Sequence, residues 1–179
     1  SKLLIKIQKK NVENKKIKWI KNFKKIKKGP VIFFGNEFFD AIPIKQFIRK
    51  GNLLVEKCYT INSLRLNETH RQALKSDMDD INSFKVLKNL KFVEYPKQGF
   101  RELDKIVKKI SVLSGGILLI DYGYLELCNK STLQTIMNNK KISIKSLLNN
   151  VGKADITSLV NFRLLNEYFL KKNLKVKKI

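Results

Sequence analysis

Two apolar runs carry no polar interruption: Val31-Ile-Phe-Phe34 and Ile117-Leu-Leu-Ile120. Gly29-Pro30 precedes the first and Gly115-Gly116 the second, so each reads as a short strand buried on both faces. Between them Phe100, Leu103, Ile106, Val107, Ile110 and Leu113 recur at steps of three and four, which places them on one side of a helix. Residues 44–49 and 53–61 flank Lys50-Gly51-Asn52 and predict a hairpin, and residues 92–95 predict a further strand. Weaker patterns predict a first helix capped by Ser1 with Leu3, Leu4 and Ile7 on one face, and a short strand over 17–20. They also predict a polar loop over 62–90 with room for a short helix, a helix through Phe162, Leu165 and Phe169, and a strand-like stretch over 174–176.

Buried strand, crossover helix, buried strand is the pattern of a parallel α/β sheet, in which ligands bind beyond the carboxyl ends of the strands. Both runs carry acids at that end: Asn36, Glu37 and Asp40 follow the first, and Asp121 follows the second. Without an internal repeat or a Gly/Ser linker, residues 1–179 read as one domain, with a hairpin and loop inserted over about 44–91.

Composition narrows the function classes. The chain is 43% hydrophobic, enough for a globular core. No apolar run approaches the roughly 20 residues of a membrane span, and no charged-then-apolar leader pattern opens the sequence. Cys58 and Cys128 are isolated and His70 is the single histidine, so neither a disulfide framework nor a His-rich metal site is expected. The formal charge of +23 is unevenly placed. Residues 1–28 hold 12 Lys against one acid and residues 171–179 hold five Lys, whereas residues 29–121 hold 15 Lys/Arg against 11 Asp/Glu. A basic, non-catalytic RNA-binding module is therefore an alternative class, but the residues with a specific look are acids in a balanced middle.

Glu37 and Asp40 sit three apart beside Phe38, Phe39, Ala41, Ile42 and Pro43. Asp40 read as a helix cap and Glu37 as a solvated acid is the ordinary interpretation. A carboxylate inside an apolar collar, however, loses solvation and calls for a cationic partner such as a guanidinium. Asp121-Tyr122-Gly123 reads as a turn, with Asp121 also on the binding edge of the sheet. His70 reads as a surface residue, and Trp19 with the Phe residues near it as packing contacts. The eight glycines form no phosphate-binding loop.

Taken in order, Asn36-Glu-Phe-Phe-Asp-Ala-Ile-Pro43, Gly115-Gly-Ile-Leu-Leu-Ile-Asp-Tyr-Gly123, Thr132-Leu-Gln-Thr135, Gly152-Lys-Ala-Asp-Ile-Thr157 and Val160-Asn-Phe162 resemble the MidA-type family of class I S-adenosylmethionine-dependent methyltransferases. The resemblance covers nearly the whole chain, and its first block is the most specific. It implies a Rossmann-like methyltransferase sheet with flanking helices, S-adenosyl-L-methionine as cofactor, and a protein substrate methylated on arginine, with a respiratory complex I subunit as the acceptor in mitochondrial members. With methyl transfer as the chemistry, Glu37 and Asp40, two acids in an apolar collar at a strand end, are the expected catalytic pair that orients the guanidinium; Asn36, closing its strand, is expected to face the cofactor, and Asp121 and Tyr122 to form the substrate-site wall. The implied compartment is the cytoplasm of a bacterium or the mitochondrial matrix of a eukaryote, with no metal. The family's glycine-rich loop and ribose-binding acid would fall ahead of Ser1, so the sheet is expected to lack its first strands. A catalytically dead scaffold of the same fold is the alternative that follows from that departure.

Overall fold

A computed structural model describes residues 2–12, 16–63 and 65–177. In chain order its elements are α1 (Lys2–Asn11), β1 (Val31–Asn36), β2 (Lys45–Lys50), β3 (Leu53–Asn62), β4 (Arg65–Gln72), α2 (Lys75–Asn82), β5 (Phe92–Tyr95), α3 (Lys97–Leu113), β6 (Gly115–Ile120), β7 (Gly123–Tyr124), β8 (Gln134–Met137), β9 (Lys140–Ile142), β10 (Asp155–Thr157), β11 (Val160–Asn161) and α4 (Phe162–Lys171).

The uninterrupted apolar runs do pair in parallel. β1 and β6 run in register from Val31 opposite Gly115 to Asn36 opposite Ile120, with α3 as the last part of the crossover. Gly115 lets the chain turn directly from α3 into β6: its φ is +127°, and a Cβ there would collide with the Val31 carbonyl. The expectation of burial on both faces is corrected. Phe33, Ile117 and Leu119 lie on the inner side, and the last two pack against the main core. On the other face Ile32 is 80% exposed and Phe34 65% exposed. Among the described residues α3 covers one face of this pair, and continuous apolarity cannot report how many faces the same chain covers.

A second, antiparallel sheet has the order β4-β3-β2-β5. Gly51, at φ +58°, closes the β2–β3 hairpin. Phe47, Leu54 and Val93 are essentially fully buried, and they join residues of α3 and α4 in one core. Within it the Phe100 and Tyr168 rings stack at 4.6 Å, and the Tyr168 hydroxyl donates to Asp104 at 2.7 Å. Asp77 of α2 is buried but doubly paired, with Lys45 at 2.6 Å and Lys97 at 2.7 Å. Lys45 also reaches Glu56 at 3.3 Å, tying α2 to the sheet.

Three further expectations are corrected. The polar region 62–90 contains β4 as well as α2. β4 is an edge strand with most of its residues exposed, so backbone pairing with β3 rather than an apolar face defines it. Residues 17–20 do not form a strand, and Trp19 instead donates to Gln8 of α1 at 3.0 Å. Residues 174–176 are not a strand either. Asn173, at φ +58°, ends α4 in the left-handed conformation, and Leu174 folds back onto the core. The Ser1 cap lies outside the described residues.

Candidate active site

The parallel register of β1 and β6 brings the two acidic strand ends side by side. Glu37 N–H donates to the Ile120 carbonyl at 2.8 Å, extending the ladder one step beyond β1. Glu37 itself has φ +48°, a left-handed conformation uncommon for a non-glycine residue, and the chain leaves the strand sharply there. No helix follows, so Asp40 is not a helix cap. It sits in the turn closed by the Ile42 N–H to the Phe39 carbonyl at 3.1 Å.

Asp121 holds this turn in place. One carboxylate oxygen accepts the Phe39 N–H at 2.7 Å and the Asp40 N–H at 3.4 Å, and the other accepts the Tyr122 N–H at 2.9 Å. Phe39, buried in the core, anchors the turn from below. A third segment joins from β10 and β11: Ser158 N–H donates to the Asp40 carbonyl at 2.9 Å, and Val160 N–H donates to the Tyr122 carbonyl at 2.8 Å. Gly123 permits that approach, since a Cβ there would strike the Val160 carbonyl and the Phe162 ring. Three sequence-distant stretches thus form one lip.

The five expected site residues are therefore neighbours along this lip, in different environments. Asn36, Glu37 and Tyr122 are exposed, whereas Asp40 and Asp121 are half-buried. The Asp40 carboxyl is held above the usual aspartate range, first by burial, then by the Asp121 charge, with Glu37 adding to it and the Ala41 N–H opposing. The apolar collar thus acts on Asp40 and leaves Glu37 in solvent. Asp40 also opens onto a cleft of about 310 Å³ whose other polar walls include Gln46, Lys57, Tyr59 and Ser158.

Several residues with no expected role also build this region. Glu94 gathers the segment around residue 132: it accepts from Gln46 at 2.8 Å, from Thr132 N–H at 2.9 Å and from the Thr132 hydroxyl at 2.5 Å. Asn161 caps α4 by accepting the Leu164 N–H at 3.0 Å. The ordered motifs containing Thr132 and Asn161 were the available signal. His70 lies on β4, exposed and 3.4 Å from Glu68, and does not line the cleft beside Asp40. Among the described residues no group of three or more His, Cys, Asp or Glu is placed to hold a metal, and no helix is long and apolar enough to cross a membrane.

For S-adenosylmethionine the residues present fit one wall. Asn36 ends β1 at the ligand-binding side of a parallel sheet, on the same open face as Ile32 and Phe34. The scattered glycines supply no glycine-rich turn that would close around the other side.

Parallel strands with a polar, acidic lip at their carboxyl ends and a cleft beside it are the frame of an α/β ligand-binding fold. The chain belongs to the family described as "Putative S-adenosyl-L-methionine-dependent methyltransferase", whose model it matches over residues 1–179. It is 29% identical over 158 residues to the mitochondrial protein arginine methyltransferase NDUFAF7 homolog of Caenorhabditis elegans, covering 84% of this chain and 35% of that protein. It is 28% identical over 156 residues to the Danio rerio protein arginine methyltransferase NDUFAF7, again with 84% and 35% covered. The chain thus spans about a third of the length of these curated relatives. Its fold is similar to that of a Burkholderia thailandensis protein solved with S-adenosyl-homocysteine, at TM-score 0.63 and 17% identity, covering 87% of this chain and 40% of that one. A native structure from the same organism gives TM-score 0.61 and 16% identity, with 81% and 40% covered. The fold is that of a class I methyltransferase, the family to which the ordered motifs pointed.

Proposed function

We propose that this chain forms the acceptor side of an S-adenosylmethionine-dependent methyltransferase that modifies a protein arginine. The observation that carries the proposal is Asp40, a half-buried carboxylate backed by Asp121 and opening onto a cleft. Burial beside a second acid leaves that carboxylate short of counter-charge, and a guanidinium supplies it with planar, two-point geometry. The sequence similarity to protein arginine methyltransferases supports the same acceptor. A respiratory complex I subunit is the substrate implied by the family resemblance, in the mitochondrial matrix for a eukaryotic source and in the cytoplasm for a bacterial one.

When bound, the cofactor supplies an electrophilic methyl group on a sulfonium. The protein's part is to place one guanidinium nitrogen in line with it. Asp40 and Glu37 draw the guanidinium charge toward the nitrogens they contact, leaving more electron density on the nitrogen that attacks. Asp121 keeps Asp40 in position through the backbone of the 39–40 turn, and Asn36 faces the cofactor from the end of β1.

Methyl transfer to protein arginine by the whole gene product tests this reading. Glu37→Gln combined with Asp40→Asn keeps the shape and removes the charge, and is expected to lower transfer tenfold or more, since a charged hydrogen bond contributes about 1.5–3 kcal/mol. Transfer within about threefold of wild type, less than the smallest such contribution, would sink the assignment.

A further inference from the structure

Beside the Asp40 cleft lies a larger one, of about 850 Å³, between the β3–β4 arm and residues 126–145. The two share the wall formed by Lys57, Tyr59 and Leu133. Its charge is distinctive. Lys57 is neutralised by Glu68 at 2.7 Å, but Lys130, Lys141 and Lys145 also line the cleft, and among the described residues none has an acid within ion-pair reach. Glu126 is the one further acid in the wall. Leu66, Leu127, Ile142 and Leu159 add apolar surface.

We infer that this cleft receives the polypeptide segment flanking the methyl-accepting arginine, and that it selects segments carrying Asp or Glu near that arginine. The inference rests on the acceptor reading above. An occupant of both clefts meets the Asp40 carboxylate, with Asp121 and Glu37 close by on the lip, at one end and unpaired ammonium groups at the other, so it carries a cation and, farther along, anions. A peptide with one arginine and acidic neighbours has that pattern. A nucleic acid does not, because its phosphates would be repelled by Asp40, Asp121 and Glu37. Charge placed this way contributes more to partner choice and encounter than to raw affinity.

Fluorescence anisotropy with short labelled peptides at physiological ionic strength tests the inference on this chain. One peptide carries a single arginine followed by glutamates, a second has those glutamates replaced by glutamine, and a third keeps the glutamates but replaces the arginine with leucine. The acidic arginine peptide is expected to bind about fivefold or more tightly than its glutamine counterpart, the scale of a few exposed charge pairs. That preference is expected to vanish in Lys141→Glu/Lys145→Glu and to persist in Lys24→Glu/Lys25→Glu, which reverses two charges far along the sequence. Lys141→Gln/Lys145→Gln repeats the test with a milder change should the reversed variant misfold. Equal affinity for the acidic and glutamine peptides overturns the inference, as does a preference that survives the cleft variants or falls equally in the Lys24/Lys25 control. Tighter binding of a single-stranded RNA through the same lysines overturns it in favour of a nucleic-acid cleft. If the leucine peptide binds as well as the arginine peptide while the acidic preference persists, the cleft assignment holds and the arginine reading fails.

Discussion

The antiparallel sheet mixes apolar and polar positions whereas the parallel β1–β6 pair is almost wholly apolar, yet the mixed sheet supplies the more deeply buried side chains. Phe47 of β2 is fully buried, walled by Leu54, Val93 and the residues of α3. Phe34 of β1 is mostly in water, as is its neighbour Ile32, and Ile120 of β6 is half exposed. The first sheet holds the chain together. The second has no third strand among the described residues, and it presents an apolar face and, at its carboxyl end, the acidic lip. Stability and candidate chemistry therefore sit in different layers, joined where Phe39 runs from the lip into the core.

Substitutions separate the two layers. Phe47→Ala should destabilise the chain most, by about 3–5 kcal/mol, because it leaves a cavity in a packed core. Urea unfolding reads this directly, and a change below about 1 kcal/mol would mean that the antiparallel sheet is not the stabilising layer.

An intermediate effect concerns the lip and pH. Because burial and the Asp121 charge hold the Asp40 carboxyl above the ordinary aspartate range, it stays protonated to higher pH than a solvated aspartate. Arginine methyl transfer by the whole gene product should therefore fall with acidification at a higher pH than a solvated aspartate would give. Asp121→Asn should move that inflection downward, and Asp40→Asn should remove it. The linkage to stability has the opposite sense. A raised folded-state value means that stability is fully present below the ordinary aspartate range and declines as pH rises through the raised value. An inflection unmoved by Asp121→Asn would break the link between the two acids.

The smallest effect is expected on the outer face of the parallel pair. Phe34→Ser should change unfolding free energy by no more than about 0.5 kcal/mol, since that ring is largely in water already. A loss comparable to that of Phe47→Ala would show that the face is covered in solution.

How far the sequence could be read follows the same division. Strand ends were visible because Gly29-Pro30, Gly115-Gly116 and Asp121-Tyr-Gly123 punctuate them, and α3 because its apolar residues keep helical spacing without a break. β4 was invisible: its polar residues serve an edge strand with solvent on most sides, and only pairing with β3 defines it. The extended stretches at 17–20 and 174–176 looked like strands, but strand identity requires a neighbour with a free edge, and Leu174 found the core instead. At the site, Asn36, Glu37, Asp40 and Asp121 stood out as polar groups at the ends of apolar runs. The long-range bond from Phe39 N–H to Asp121 was not readable, because it depends on the β1–β6 register. Gln46, Tyr59 and Ser158 reach the cleft from three strands or turns whose convergence no local pattern encodes.

The central claim, that this layer of the chain is an arginine-binding lip, is tested most directly by amide NMR of the chain titrated with an arginine-containing peptide. The account predicts shifts concentrated at residues 37–42, 121–122 and 157–159, greatly reduced in Asp40→Asn but not in Glu126→Gln. Shifts confined to the lysine-rich residues 2–28, or a response unchanged by Asp40→Asn, would contradict it.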